Sequence, residues 1–220
     1  MSAGVPPFPI EHELPGWELF WVFLKMTEDA EGDSRLASLR RETSELARAS
    51  LEGIDLAAHA TVAAMRKLFR AAGTDPTRYR PASEALLRRV LKGEDLPAIH
   101  PLVDINNCLS VELAVPCCVA AEGTFTPPLV LRSGRPGESY ESLRGPFNLE
   151  GKPVLVDAEG PLDTPITGSV RVKVRPETSR AWLVAYLPEG VVTRERCGEV
   201  LRELLAKAPV VRVGGPAERT

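Results

Sequence analysis

The sequence predicts an α/β protein in which a helical N-terminal half packs on a mixed or antiparallel sheet. Three observations predict it. Residues 17–26, WELFWVFLKM, form an aromatic-rich run between Gly16 and the polar stretch TEDAEGDS, which reads as a strand. Residues 34–113 carry apolar side chains at spacings of three and four, and beyond Pro116 the period changes to short β-rich runs divided by Gly, Pro and Thr. At 220 residues, 44% hydrophobic and 26% charged, the chain is long enough to bury one core. It therefore reads as a single domain over 1–220: an extended arm over 1–16, a strand plus helices over 17–115, and mainly strands with a C-terminal helix over 116–213.

Each element has a local reason. The arm holds four prolines and no helical period. Leu36, Leu39, Thr43, Leu46 and Ser50 then set a narrow apolar stripe on a helix capped by Asp33 or Ser34 and ended by Gly53. A second helix, over about 56–72, turns Val62, Met65, Leu68, Phe69 and Ala72 inward, and Gly73 supplies the left-handed residue after it. In PASEALLRRVLKG, residues 81–93, Pro81 sits in the first turn, where its missing N–H is harmless. Leu86, Leu87, Val90 and Leu91 form that helix's buried face, and Gly93 ends it.

Pro101 starts a fourth helix that stops before Pro116. Leu102, Ile105, Leu109 and Leu113 follow one face, Asp104, Asn107 and Val111 look elsewhere, and Asn106 borders the stripe. Strands follow in CCVA, PLVLR, PVLVDAEG, SVRVKV and AWLVAYLP. The last helix, 193–208, buries Val200, Leu201, Leu204 and Leu205, and VVRVGGPAERT adds a short edge strand.

Composition narrows the function. A net charge of −3 argues against holding nucleic acid by bulk electrostatics, which needs many cations on one face. Charge is nevertheless uneven: residues 66–92 carry eight cations (Arg66, Lys67, Arg70, Arg78, Arg80, Arg88, Arg89, Lys92) against Asp75 and Glu84, which leaves −9 on the remainder. Such a segment serves either an anionic partner or two solvated helix faces. The four cysteines have no CxxC spacing and the three histidines are scattered, so no metal site and no cofactor is expected. No apolar run reaches the roughly 18 residues of a membrane span and no cleavable leader is visible, so the expectation is a cytoplasmic protein with reduced thiols and no membrane partner.

Two stretches concentrate polar chemistry. VDINNCLSVELAVPCCV, residues 103–119, sets Asp104, Asn106, Asn107 and Glu112 into an apolar run; Asp104 and Asn107 serve as caps or as pocket walls. VDAEGPLDTPITGS, residues 156–169, offers Asp157 and Glu159 to accept protons or hold an ammonium. Thr164, Thr167 and Ser169 can donate, and the glycines let backbone approach a ligand, unless the stretch is simply a turn. Cys117 and Cys118 lack a nearby base and read as small buried hydrophobes. His59 reads as a packed or capping residue, and Trp17, Trp21 and Trp182 read as core.

Two blocks, RYRPASEALLRRVLKGEDLPAIHPLVDINNCLSVELAVP and GPFNLEGKPVLVDAEGPLDTPITGS, resemble in that order the paired third and fourth, tRNA-editing, domains of the phenylalanyl-tRNA synthetase β subunit. They resemble still more closely the free-standing proteins built from that unit. The phrase Val-Asp-x-x-Asn, then Glu-Leu, then Pro falls on Val103, Asp104, Asn107, Glu112, Leu113 and Pro116, and the resemblance spans about residues 55 to 190. It implies a sheet-containing domain wrapped by helices, with a pocket between the helical start and the later strands. In the synthetase that pocket hydrolyses tyrosine wrongly attached to the tRNA for phenylalanine.

One departure stands out. Where the synthetase pattern continues with Leu-His-x-x-Asp, this chain reads Cys117, Cys118, Val119, Ala120, Ala121. The resemblance leads to two expectations: a trans-acting aminoacyl-tRNA deacylase, with Glu159 catalytic, Asn107, Asp157, Thr164, Thr167 and Ser169 at the substrate and the cations of 66–92 on the tRNA; or a non-catalytic module that binds an amino acid or tRNA. Ester hydrolysis needs an excluding pocket, donors near the developing oxyanion and a positioned water.

Overall fold

A computed structural model describes residues 5–27 and 34–215. In chain order it contains β1 (Ile10–His12), β2 (Trp17–Met26), α1 (Ser34–Ser50), α2 (Ala60–Ala71), α3 (Ala82–Val90), α4 (Pro101–Leu113) and β3 (Cys117–Ala121). Then follow β4 (Leu129–Ser133), β5 (Ser139–Ser142), β6 (Gly145–Asn148), β7 (Pro153–Asp157), β8 (Gly160–Asp163), β9 (Arg180–Pro188), α5 (Arg194–Lys207) and β10 (Val211–Val213). This is the mixed α/β architecture the sequence predicts, with the strands divided between two sheets and a hairpin.

The first sheet runs β10-β2-β9-β3 and is antiparallel throughout; the second runs β1-β4-β7-β8, with β1 parallel to β4; β5 and β6 pair as a separate hairpin. β2 reads as a nearly unbroken apolar run because both of its faces are covered. Phe20 and Leu24 join Leu183, Ala185 and Leu187 of β9 against the helices. Leu19, Trp21 and Phe23 join Trp182, Val184 and Tyr186 against the second sheet and against Met65 and Phe69 of α2. Sheet one is thus the middle layer, and the period-2 alternation of its strands divides the core in two.

Within the described part of the arm, residues 5–16, β1 closes the second sheet as an edge strand. Phe8 anchors it by edge-on contacts to Trp21 (5.4 Å) and Trp182 (5.2 Å), geometry that aromatic quadrupoles favour.

Several local expectations change. The inward stripe of α1 is Leu36, Leu39, Thr43 and Ala47, while Leu46 is 52% exposed. Residue 47 lies eleven positions after 36, three turns of a 3.6-residue helix, and residue 46 falls short of that face. The Asp33 cap lies outside the described residues; Ser34 opens the helix. The second helix begins later than expected: residues 56–58 form a 3₁₀ turn capped by Asp55, His59 turns extended, and α2 starts at Ala60.

SVRVKV is not a strand. Val170 N–H bonds Glu141 O and Val172 O accepts from Ala121 N–H (both 2.9 Å), so the segment crosses from the hairpin to the edge of β3 and follows neither. β8 and the β5–β6 hairpin escaped the sequence reading because four-residue strands carry almost no periodicity.

α4 is the pivot of the helical layer. Leu102, Ile105, Leu109 and Leu113 are buried as predicted, but so are Asp104, Asn106, Asn107 and Ser110. The helix ends at Ala114, in the left-handed region at φ 56°. That conformation costs a non-glycine residue roughly 1 kcal/mol. Two hydroxyls hold the corner: Ser110 Oγ donates to Val115 O (2.7 Å) and Ser83 Oγ to Ala114 O (3.1 Å). The chain then turns at Pro116 into β3, which brings Cys117 and Cys118 beside Asn106.

Candidate functional site

A cavity of about 620 Å³ opens between the β5–β6 hairpin, α3, α4, the start of β3 and residues 166–174. Its walls differ in chemistry. α4 and β3 contribute Val103, Asn106, Asn107, Cys117, Cys118 and Val119, an uncharged surface. Asn106 Nδ2 donates to Asn107 Oδ1 (3.3 Å) and to Cys117 O (3.5 Å). Asn107 lines the cavity beside it, and Asn106 Oδ1 is buried without a hydrogen-bond partner among the described residues. Burial pushes both thiols up, Cys117 and Cys118 alike. They stay protonated at neutral pH and serve as walls rather than nucleophiles.

A second wall is the turn after β8. Thr164 Oγ1 accepts from the N–H groups of Ile166 (3.3 Å) and Thr167 (3.1 Å) and donates to Thr167 O (3.0 Å), and Tyr140 OH donates to the same carbonyl at 2.5 Å. Thr164 is therefore a turn-former. What it positions are Thr167, Gly168 and Ser169, which do line the cavity. Ser169 Oγ accepts from Arg171 N–H (3.0 Å).

The rim is cationic. Arg78, Arg80, Arg89, Arg144 and Lys173 line the cavity, and among the described residues no carboxylate and no imidazole does. Among the described residues, Arg89 is the one of these five with a carboxylate partner, Glu94 at 3.1 Å.

The expected site residues thus separate. Asn107, Thr167, Ser169, Arg78, Arg80 and Arg89 meet at one cavity. Asp157 does not: it is buried beneath the β7–β8 turn, accepts from the N–H groups of Thr126 (2.8 Å), Glu159 (2.9 Å) and Gly160 (3.1 Å), and pairs with Arg171. Glu159 is exposed on the same turn, where its carboxylate accepts from Thr126 Oγ1 (3.2 Å), outside the cavity lining. The two-residue hairpin turn fixes both: Asp157 points in to close it, so Glu159 points out.

Among the remaining cations, Arg66 and Arg88 are engaged on Glu84, and Lys67, Arg70 and Lys92 are exposed away from the lining. Asp104 is a cap: its Oδ1 accepts from Ile99 N–H (2.9 Å) and His100 N–H (3.3 Å), and its Oδ2 pairs with Arg40 (2.6 Å). Sequence reading missed Arg144, Lys173, Tyr79 and Phe147. SLRGP, with exposed Leu143 and Arg144 ahead of Gly145, was the available signal of a functional hairpin tip.

Behind Cys118 lies a buried acid. Asp163 Oδ2 accepts from Tyr186 OH at 2.7 Å, and the Cys118 thiol and the Thr164 backbone lie close to the same carboxyl. Burial pushes the Asp163 carboxyl up to about 7, against the hydrogen bonds of Tyr186 and of the Cys118 thiol.

Fold and cavity define the class: an α/β domain whose helical layer, edge strand β3 and β5–β6 hairpin enclose a neutral-walled, cation-rimmed pocket. The model of the B3/4 domain matches residues 64–200, more than half of the chain, and the chain belongs to that family. Among solved structures it is similar to an N-terminal fragment of the phenylalanyl-tRNA synthetase β subunit from Pyrococcus horikoshii. Identity there is 13%, the TM-score is 0.43, and the match covers 94% of this chain and 53% of that one. This chain spans about half the length of that fragment. No curated protein matches it. No described helix is long and apolar enough to cross a membrane.

Proposed function

We propose that the cavity receives the aminoacylated 3′ end of a tRNA and that the protein hydrolyses the ester in trans. The observation that carries this reading is the charge of the lining: five cations and, among the described residues, no carboxylate, around a floor of amides and hydroxyls. A polyanion meets such a rim favourably, and an uncharged floor suits an acyl group. The sequence resemblance to synthetase editing domains supports the same substrate.

In this reading the Asn107 amide faces the ester carbonyl as the oxyanion donor, and the Thr167 hydroxyl holds the attacking water. Among the described residues no carboxylate or imidazole lines the cavity to act as general base, so in this reading the proton passes to the substrate's own amino or hydroxyl groups. Catalysis then rests on orientation and oxyanion stabilisation.

A panel of mischarged tRNAs tests it. Turnover is expected with at least one. Asn107→Ala lowers kcat on the order of a hundredfold, as loss of one oxyanion donor does, and Glu159→Ala leaves it unchanged. The second reading, a non-catalytic amino-acid or tRNA binder, is favoured by the missing base. No turnover together with a ligand-dependent rise in Tm selects it; no turnover and no binding removes both.

A further inference from the structure

We infer that the hairpin wall of the cavity is a nucleotide subsite: a nucleobase packs into the corner formed by Tyr79 and Phe147, and the phosphate of the same nucleotide meets Arg78, Arg80 and Arg144. The inference deepens the reading above and rests on it for the source of the nucleotide. The geometry itself is independent of hydrolysis.

Tyr79 and Phe147 both line the cavity and meet edge to face, ring centroids 6.0 Å apart at 87°, which makes a concave aromatic corner. Cations crowd it. Arg78 Cζ stands 5.1 Å over the Tyr79 ring and Lys152 Nζ 4.2 Å from the same centroid. Lys152 is only 5% exposed, yet it donates to Asn148 Oδ1 (3.5 Å) and Glu150 O (3.3 Å) and to no carboxylate. Burial, and then the neighbouring Arg78, lowers its pKa.

Lys152, behind the lining, and Arg78 both lie against the Tyr79 ring, so this end of the cavity carries positive charge that Glu150 opposes. Among the described residues no carboxylate pairs with Arg78, Arg80 or Arg144. The cavity mouth adds two apolar lips, Ile99 at 62% and Leu143 at 58% exposure.

Aromatic faces, guanidinium planes and apolar lips beside unmatched cations are what a base with its phosphate requires. The same field excludes the competing occupant. An aromatic amino acid held here would bring its ammonium among cations, whereas the α4 wall is uncharged. The ligand therefore enters with its nucleotide at the hairpin and its acyl group at Asn106 and Asn107.

Calorimetric titration of the full chain with 5′-AMP, adenosine and ribose 5-phosphate tests the subsite. AMP is expected to bind at least tenfold tighter than either fragment. Phe147→Ala and Tyr79→Ala weaken AMP on the order of tenfold, the usual loss for one stacking partner, and leave ribose 5-phosphate unchanged; Arg144→Gln weakens both. Phe147→Leu, which keeps the apolar bulk that supports the hairpin, still loses selectivity for AMP.

Equal binding of AMP and ribose 5-phosphate by the wild type overturns the subsite, and so does an unchanged AMP affinity in a folded Phe147→Leu. Competition by uncharged tRNA below the concentration at which AMP competes assigns the nucleotide to an RNA terminus. AMP binding without tRNA competition assigns it to a free nucleotide and sinks the tRNA reading, while intact deacylation without base selectivity sinks the subsite alone.

Discussion

Arg66 grips Glu84 with two parallel hydrogen bonds, Nε to Oε2 at 2.8 Å and Nη2 to Oε1 at 2.9 Å, and Arg88 Nε adds a third to Oε1 at 2.9 Å. The carboxylate is fully buried between α2 and α3. Of the two cations that sequence reading offered to RNA, Arg66 thus ties α2 to α3 and Arg88 closes the same carboxylate from within α3, which leaves Arg78 and Arg80, among the described residues, as the rim cations of this segment without a carboxylate partner. Arg66→Met removes one partner of a buried charge and is expected to lower stability by about 3–5 kcal/mol in urea denaturation.

The same cluster sets the acid limb. Burial pushes the Glu84 carboxyl up, but the bonds from Arg66 and Arg88 outweigh it and hold it below the usual 4.5. A carboxyl whose folded pKa is depressed contributes stability that is fully present above its unfolded value and is lost as pH falls through the folded one. Denaturation midpoints measured downward from pH 5 are expected to fall in the wild type and to fall less in Glu84→Gln.

Asp163 acts in the opposite sense. Its folded pKa, about 7, lies above the ordinary 3.8. Its neutral form therefore favours the fold fully below about pH 4, and that contribution is lost as pH rises through 7. Stability of the wild type should decline by at most roughly 1.4 kcal/mol per pH unit in that window. Asp163→Asn, which still accepts from Tyr186, should flatten the decline; an unchanged pH profile would show that the carboxyl is ionised in the fold.

Asp157 and Glu159 should part company. Asp157→Ala strands three backbone N–H groups and Arg171, and is expected to cost about 2–4 kcal/mol. Glu159→Ala is expected to change stability by less than about 0.5 kcal/mol, as exposed substitutions do. Parallel thermal melts decide it, and a large loss in Glu159→Ala would contradict the exposed placement.

Salt dependence separates the rim from the rest of the surface. Arg80→Gln and Arg144→Gln should each reduce the slope of log K against log salt for tRNA by about 0.7–0.9, one phosphate contact apiece. Lys67→Gln, exposed on α2 outside the cavity lining, should leave the slope unchanged in filter binding across a salt series.

The helices were legible because their signals are local. Pro101, Gly73 and Thr193 mark boundaries within a residue or two of those observed, Gly93 follows the end of α3 by three, and Thr193 Oγ1 accepts Arg196 N–H as a cap should. β2 and β9 were legible by composition. SVRVKV was misread because alternation records which side chains are buried, not which backbone groups pair. Arg171 and Lys173 do alternate with buried Val172, yet the N–H and C=O groups of the segment go to two different elements.

The sequence by itself determined the α/β class, the existence of the five helices and of β2 and β9, and the identity of the polar run on α4, since these depend on neighbours a few positions apart. Only the tertiary structure decided which polar residues share a space. The β7–β8 hairpin turned Asp157 inward and Glu159 outward, Glu84 claimed Arg66 and Arg88, and a hairpin 60 residues along the chain brought Arg144 and Phe147 to Arg78 and Tyr79. A cavity's charge is a sum over residues distant in sequence, and pairing elsewhere removes members from that sum, so it can be read only after the chain has folded.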